Sequence, residues 1–211
     1  MELYDAMRTA AAVRRFQEAP VPDAVIYRVL DAARFAASGG NRQPWQVIVV
    51  RDPALRTGLQ ELYLRSWRPF YERLRAAAAG PSEGNYYAEH LAQLPVHLVV
   101  LASESGLVTP FPAIQESHFA GGSSVYPFVQ NIVLGLRAEG LGASLTMMLN
   151  NDEEDVRRLL HIPDGFRLAA HLGVGWPAGP HPTRLRRRPV EDFASIDHFD
   201  GERLTVDNAT E

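Results

Sequence analysis

The side chains best suited to ligand chemistry are amides in a glycine-containing loop, residues 38–45, between a predicted helix and a predicted strand. Asn41 and Gln43 each carry an amide that both donates and accepts hydrogen bonds, as the edge of a heterocyclic ring requires. Gly39 and Gly40 allow a backbone to come close to a ligand. A helix C-cap followed by a turn explains the same residues, so the loop alone leaves both interpretations open.

Two groups of arginines could bind an anion. Arg14 and Arg15 closely follow the first predicted helix, and the run 184–188 is almost entirely arginine. A guanidinium can hold a phosphate bidentately, so the two groups would form one anion pocket if the chain folded them together. The alternatives are complementation of a helix dipole by the first group and a solvated surface for the second.

The composition excludes several kinds of catalysis. The 211-residue chain has no cysteine, and all 21 of its basic residues are arginine. Without cysteine there is no disulfide, thiolate metal site, iron–sulfur cluster or thiol nucleophile. Without lysine there is neither a Schiff-base enzyme nor a P-loop. The formal net charge of −4 argues against a general nucleic-acid binder.

The histidines and the first residues of the chain bear on metal binding and on membrane association. The seven histidines show no metal-ligand spacing, so we expect no metal site. His97 and His171 fall within apolar strands and are expected to be satisfied core residues. The first residues, 1–5, include two acids and no apolar run, and no apolar stretch approaches the roughly 20 residues of a membrane span. We therefore expect a cytoplasmic protein with no membrane partner.

Helices and strands alternate along the chain, which predicts an α+β sandwich around one central sheet. Apolar spacing predicts helices over 2–12, 25–37, 52–79, 123–139 and 151–161, with Pro69 breaking or kinking the third. Short apolar runs predict buried strands over 46–50, 96–101, 143–149 and 167–174. Loops are predicted over 80–87 and 103–120, the second as a candidate lid.

The C-terminal part has a different composition. Beyond Pro177 the sequence loses its periodicity, and proline, arginine and acidic residues dominate. We therefore expect one domain over 1–180 and an extension over 181–211 that wraps an outer surface or a partner subunit.

Taken in order, these motifs resemble the nitroreductase family, flavoproteins that bind FMN between two subunits. The resemblance covers nearly the whole chain and rests on Arg14-Arg15-Phe16 with Pro20-Val21-Pro22, on 32–45 with its S-x-x-N-x-Q-P-W pattern, on 130–142, on 173–177 and on 187–192. It implies a nitroreductase-like sandwich with a mostly antiparallel central sheet flanked by helices. It also implies a homodimer in which the C-terminal arm embraces the partner.

The resemblance also implies roles for individual residues. Arg14 would contact the FMN phosphate or ribityl chain, and Arg187, together with Arg188, would hold the phosphate. The residues expected beside the isoalloxazine ring are Ser38, Gly39, Asn41 and Gln43. The stretch whose backbone lies near the flavin N5 in relatives is matched by Thr146, Met148 and Leu149, where a donor would stabilise charge that develops during hydride transfer.

The sequence departs from the family pattern at the phosphate. Relatives carry an Arg-Arg-Ser type run just before the position of Val13, whereas this chain has Ala10, Ala11 and Ala12, which offer only backbone groups. Arg8, about one helical turn earlier, is the candidate substitute.

The implied activity is an FMN-dependent transfer of hydride from NAD(P)H to a nitroaromatic, a quinone or a similar electron-poor acceptor. Two alternatives stay open: a reductive dehalogenase or other flavin chemistry of the same family, and a non-catalytic flavin-binding or storage protein. Four aromatic residues of the third helix either frame a substrate or pack in the core or dimer face, namely Tyr63, Trp67, Phe70 and Tyr71.

Overall fold

A computed structural model describes residues 1–77, 83–107 and 122–207. Its helices are α1 (Leu3–Thr9), α2 (Asp23–Ala33), α3 (Pro53–Ala77), α4 (Glu83–Glu89), α5 (Glu104–Leu107), α6 (Tyr126–Ala138) and α7 (Glu153–Leu160). Its strands are β1 (Trp45–Val50), β2 (Val96–Ser103), β3 (Gly142–Thr146) and β4 (Phe166–Gly175). Short 3₁₀ turns cover Gly39–Asn41, Leu91–Gln93, Met148–Asp152 and Val190–Asp192.

The strands form a four-stranded antiparallel sheet in the order β1-β2-β4-β3. One row across the sheet joins Ile48, Val99, His171 and Thr146. The central strands β2 and β4 are almost wholly buried because helices cover both of their faces, and this explains their nearly continuous apolar sequences. The predicted α+β sandwich with a mostly antiparallel sheet is confirmed.

Alternate residues of β2 face two hydrophobic cores. Leu98 and Val100 point towards α2 and α6, while Val99 and Leu101 point towards α3, α4 and α7. On the α6 side, Trp45 at the start of β1 stacks on Phe128, with ring centroids 4.6 Å apart. This contact fixes the end of loop 38–45 to the core.

The first helix is shorter than predicted. Helix α1 ends at Thr9, although the alanines that follow favour helix, because the chain turns at Ala10 and pairs with the sheet. Ala12 forms a parallel bridge with Ala143, and the Val13 amide donates to the Ala143 carbonyl at 2.9 Å. Pairing with the sheet edge therefore overrides local helix propensity.

The sequence predicts that Pro69 breaks or kinks the third helix. Pro69 does not break it, since α3 runs through Pro69 as one helix to Ala77. A proline removes an amide donor and crowds the preceding turn, but α3 is anchored before Pro69 by Tyr63 and Trp67 in the core, and Tyr71 after it stacks on Trp67. Of the aromatic residues of this helix, Tyr63 and Trp67 are buried and therefore pack in the core. Phe70 is 39% exposed, and its role at a substrate stays a prediction.

Other boundaries differ from the predictions as well, and α2 ends at Ala33 rather than 37. The expected loop over 80–87 is helical from Glu83, because Tyr87 and Ala88 fill the α3-side core, while 80–82 lie outside the described residues. The third strand ends at Thr146 rather than 149, where the 3₁₀ turn begins. Of the expected lid 103–120, the part up to Leu107 ends β2 and forms α5, and 108–120 lie outside the described residues.

Candidate functional site

A segment without regular structure, residues 10–16, runs along the β3 edge and carries Arg14 there. Gly142 of β3 makes this close approach possible, because a Cβ at that position would lie 2.5 Å from Val13 Cγ2. The hydrogen bond from the Val13 amide to Ala143 holds the segment in register. The backbone of Arg14 is therefore fixed beside the strand that ends at Thr146.

The turn after β3 is organised around the Thr146 hydroxyl. Its Oγ1 accepts from the Met148 amide at 3.1 Å and lies 3.4 Å from the Tyr63 hydroxyl. Burial raises the pKa of Tyr63, while the contact with Thr146 and the positive charge of Arg14 act in the opposite direction. The Leu149 side chain is fully buried, so only its backbone could meet a ligand. Arg14 and Thr146 thus share one region around Tyr63.

Loop 38–45, the amide loop, is held in its conformation by internal hydrogen bonds and by one to Ser124. The Gln43 amide N–H donates to Ser38 Oγ at 3.0 Å, and Gln43 Nε2 donates to Asn41 Oδ1 at 3.1 Å. The Gly39 N–H donates to Ser124 Oγ at 3.0 Å. Asn41 and Gln43 have φ values of 53° and 48°, a left-handed conformation that concentrates at functional sites. Both side chains are exposed and available to a ligand.

The C-terminal extension brings arginines to α1. A cavity of about 600 Å³ is lined by Met7, Arg8, Thr183, Arg184, Leu185 and Arg187. The Leu185 amide donates to the Arg8 carbonyl at 3.0 Å and holds the two segments together. Arg188 lines an adjoining hollow with Arg187. Arg184 belongs to the predicted arginine run but not to the predicted site residues, and the structure adds it to this cavity.

Within one protomer the two halves of the predicted site lie at opposite edges of the sheet. Loop 38–45 leads into β1, whereas Arg14 and Thr146 lie beside or on β3. Strands are about 4.8 Å apart, so three strand spacings separate these edges by roughly 14 Å. The structure therefore joins Arg14 with Thr146, and Arg8 with Arg187, but does not bring the amide loop to either pair.

The two core histidines bind each other. His97 Nδ1 and His171 Nε2 are 2.9 Å apart, and both side chains are fully buried. Burial lowers the pKa of His171 to about 3, and burial with the neighbouring His171 lowers the pKa of His97, so both rings are neutral near pH 7. The prediction of core residues is confirmed for burial. The expectation that both are satisfied is not met, since His97 Nε2 and His171 Nδ1 have no hydrogen-bond partner among the described residues.

The described residues contain neither a group of side chains that could hold a metal ion nor a helix that could span a membrane. Residues 1–77, 83–107 and 122–207 contain no cluster of three His, Cys, Asp or Glu side chains that could hold a metal ion. In the same part of the chain, no helix has the length and apolarity needed to cross a membrane.

Comparison with known proteins identifies the class. A model of the Nitroreductase family matches residues 7–176. The iodotyrosine deiodinase of Thermotoga neapolitana is 30% identical over 192 residues, which are 89% of this chain and 95% of the relative. The 5,6-dimethylbenzimidazole synthase of Rhodospirillum rubrum is 30% identical, and the match covers 81% of this chain and 79% of the relative. An NADH dehydrogenase of Thermus thermophilus is 29% identical, and the match covers 79% of this chain and 82% of the relative.

Solved structures agree with the sequence matches. A crystal structure of oxidized iodotyrosine deiodinase bound to FMN and 3-iodo-L-tyrosine superposes with a TM-score of 0.73 at 25% identity, covering 94% of this chain and all of that chain. A nitroreductase-like protein from Bacillus cereus shares the fold, with a TM-score of 0.68. The chain therefore belongs to the Nitroreductase family of flavoprotein oxidoreductases, as its motifs predicted.

Proposed function

We propose that this protein is an FMN-dependent oxidoreductase that takes hydride from NAD(P)H and passes it to a nitroaromatic, a quinone or a similar electron-poor acceptor. The observation that carries the proposal is the pair of complementary half-sites at opposite edges of the sheet. One half offers exposed, hydrogen-bonded amides, and the other offers arginines beside the end of β3. Relatives named NADH dehydrogenase and nitroreductase support a nicotinamide donor.

The donor chemistry of the two halves fits the two ends of FMN. A phosphate needs charged donors, which Arg187 and Arg188 carry, while Arg14 would contact the phosphate or the ribityl chain. No salt bridge occupies these three guanidiniums within the described part of the chain. A flavin ring edge alternates donors and acceptors, as do the amides of Asn41 and Gln43.

The separation of the two halves within one chain supports a homodimer. A second copy would bring its loop 38–45 to the β3 edge of the first copy, so that each FMN contacts both chains. Phe35, next to this loop in sequence, is 74% exposed, and Phe193 and Phe199 of the C-terminal extension are 60% and 97% exposed. Large exposed apolar side chains of this kind mark interaction surfaces when they group together, and they fit an arm that embraces the partner.

The flavin carries the hydride chemistry, and the protein binds and orients it. Asn41 and Gln43 would fix the ring by hydrogen bonds, and Arg187 would hold the phosphate by charge. The backbone of the turn containing Thr146, Met148 and Leu149 would line the ring. Because the Met148 amide already donates to Thr146 Oγ1, the turn is preorganised before a ligand arrives.

Steady-state oxidation of NADH and NADPH by the flavin-loaded protein tests this activity. Menadione and a nitrofuran serve as acceptors, and the protein without flavin is the control. Acceptor-dependent oxidation is expected only with FMN present. A flavin-loaded protein without acceptor-dependent turnover would contradict the enzyme and favour the flavin-binding or storage protein.

Reductive dehalogenation is the second candidate. Its support is the 30% identity to an iodotyrosine deiodinase that the chain matches over 95% of the relative's length. Iodide release from 3-iodotyrosine by the reduced, flavin-loaded protein, with no oxidation of NAD(P)H by nitro compounds or quinones, would favour this candidate over the first.

Paired variants test the shared site. One chain carries Asn41→Ala with Gln43→Ala, and the other carries Arg14→Ala with Arg187→Ala, each with its own affinity tag. Each homodimer should bind FMN poorly, whereas the heterodimer isolated through both tags should bind one FMN per two chains. A heterodimer as weak as both homodimers would show that each site lies within one chain.

A further inference from the structure

We infer that Arg8 and Arg184, together with Arg187, form the phosphate-binding pocket of this chain and replace the side-chain donors that residues 10–12 lack. This inference rests on the proposed function, since it concerns the phosphate end of the same flavin. It assigns to α1 a ligand contact that the alanines after α1 cannot provide.

The first observation is that three arginines from two distant segments line one cavity. Arg8 lies in the last turn of α1, and Arg184 and Arg187 lie in the C-terminal extension, yet all three line the same cavity of about 600 Å³. The backbone hydrogen bond of 3.0 Å from Leu185 to Arg8 aligns the extension with the helix end. The arrangement therefore depends on a specific backbone pairing between distant parts of the sequence.

The second observation is that these arginines form no salt bridges in the described residues, although Asp192 lines the adjoining hollow with Arg187. Within residues 1–77, 83–107 and 122–207, salt bridges join none of these three arginines to a carboxylate, although other arginines of the chain are paired. Arg187 donates to the neighbouring Arg186 carbonyl at 2.8 Å, and Arg8 lies over the Tyr4 ring at 5.7 Å. Neither contact neutralises a positive charge. Three like charges around one cavity attract an anion to it.

The third observation separates Arg14 from this cluster. Arg14 lines a different cavity, of about 240 Å³, between residues 11–15 and the stretch 177–182. Its charge acts on Tyr63 and Tyr87, which lie on the α3 side of the sheet. Ala11 and Ala12 line that second cavity with only backbone and methyl groups, so its arginines are Arg14 and Arg15, whereas three arginines surround the cavity beside Arg8.

Comparison of FMN with riboflavin tests the assignment, because riboflavin lacks the phosphate. The apoprotein is titrated with each flavin and binding is followed by quenching of flavin fluorescence. Arg8→Gln and Arg184→Gln remove one charge each, and Arg158→Gln is the matched control, since Arg158 is an exposed arginine of α7 paired with Asp155. Thermal unfolding of every variant checks that the fold is intact.

Each of the two variants should raise the Kd for FMN roughly 10- to 150-fold, the loss of one charged hydrogen bond. The Kd for riboflavin should stay within about twofold, and Arg158→Gln should change neither value. An unchanged Kd for FMN, or an equal rise for both flavins, would overturn the assignment while leaving the proposed function intact. Failure of the wild-type protein to bind either flavin would overturn the proposed function as well.

Discussion

Substitution of Gly142 by alanine tests how the backbone of β3 positions Arg14. A Cβ at residue 142 would lie 2.5 Å from Val13 Cγ2 and 2.6 Å from Val13 Cβ, both far inside van der Waals contact. Because the contact involves the Val13 Cβ itself, a rotamer change cannot relieve it, and segment 10–16 must move. Overpacking of this kind typically costs about 1–3 kcal/mol of unfolding free energy.

For a domain of this size, that cost lowers Tm by about 2–4 °C per kcal/mol. Gly179→Ala is the matched control, because a Cβ there meets no atom within 4 Å. Differential scanning calorimetry measures Tm, and flavin titration reports whether the displacement reaches the site. Gly142→Ala should melt below Gly179→Ala and should bind FMN more weakly than the unchanged protein. Equal Tm values for the two variants would refute the close approach of segment 10–16 to β3.

Arg187→Ala should weaken FMN binding by about 1.5–3 kcal/mol in a titration, as expected for loss of a charged hydrogen bond, and an unchanged Kd would mean that Arg187 points elsewhere. A double-mutant cycle of Tyr63→Phe with Thr146→Val should give a coupling of about 0.5–1 kcal/mol in urea unfolding, because the two hydroxyls lie 3.4 Å apart; zero coupling would contradict this contact. His171 has a pKa of about 3 in the folded protein, below its unfolded value near 6.5, so the unfolded chain takes up the proton first on acidification. The unfolding free energy should therefore fall as pH decreases from about 6.5 towards 3, by up to about 1.4 kcal/mol per unit, and His171→Gln should flatten this slope; an identical slope in both proteins would show that His171 does not contribute.

The sequence predicts those parts of the fold where local pattern and tertiary environment agree. The apolar spacing of α2 and α6 and the runs of β2 and β4 describe elements buried on one face or on both, so the pattern is strong. The predictions fail where tertiary contacts oppose a local preference. Ala10–Ala12 favour helix, but Ala12 pairs with the β3 edge. Pro69 is tolerated in α3, whose buried Trp67 before the proline stacks on Tyr71 after it.

The candidate site is predictable in composition but not in assembly. Asn41 and Gln43 are visible as amides in a glycine-containing loop, and the arginine runs are visible as clusters. No local pattern places Arg8 and Arg184 in one cavity, because that proximity depends on a backbone hydrogen bond between residues far apart in the chain. Nor does spacing reveal that the amide loop and the β3 edge lie on opposite sides of the sheet, since strand order is a tertiary property.

The central claim is that this chain binds FMN, and stoichiometric titration of the purified apoprotein with FMN tests it most directly. Flavin fluorescence should be quenched until one FMN is bound per chain, with light scattering reporting a dimer in the same sample. Absence of quenching and of retained flavin absorbance after gel filtration, in a protein that melts cooperatively, would contradict the account.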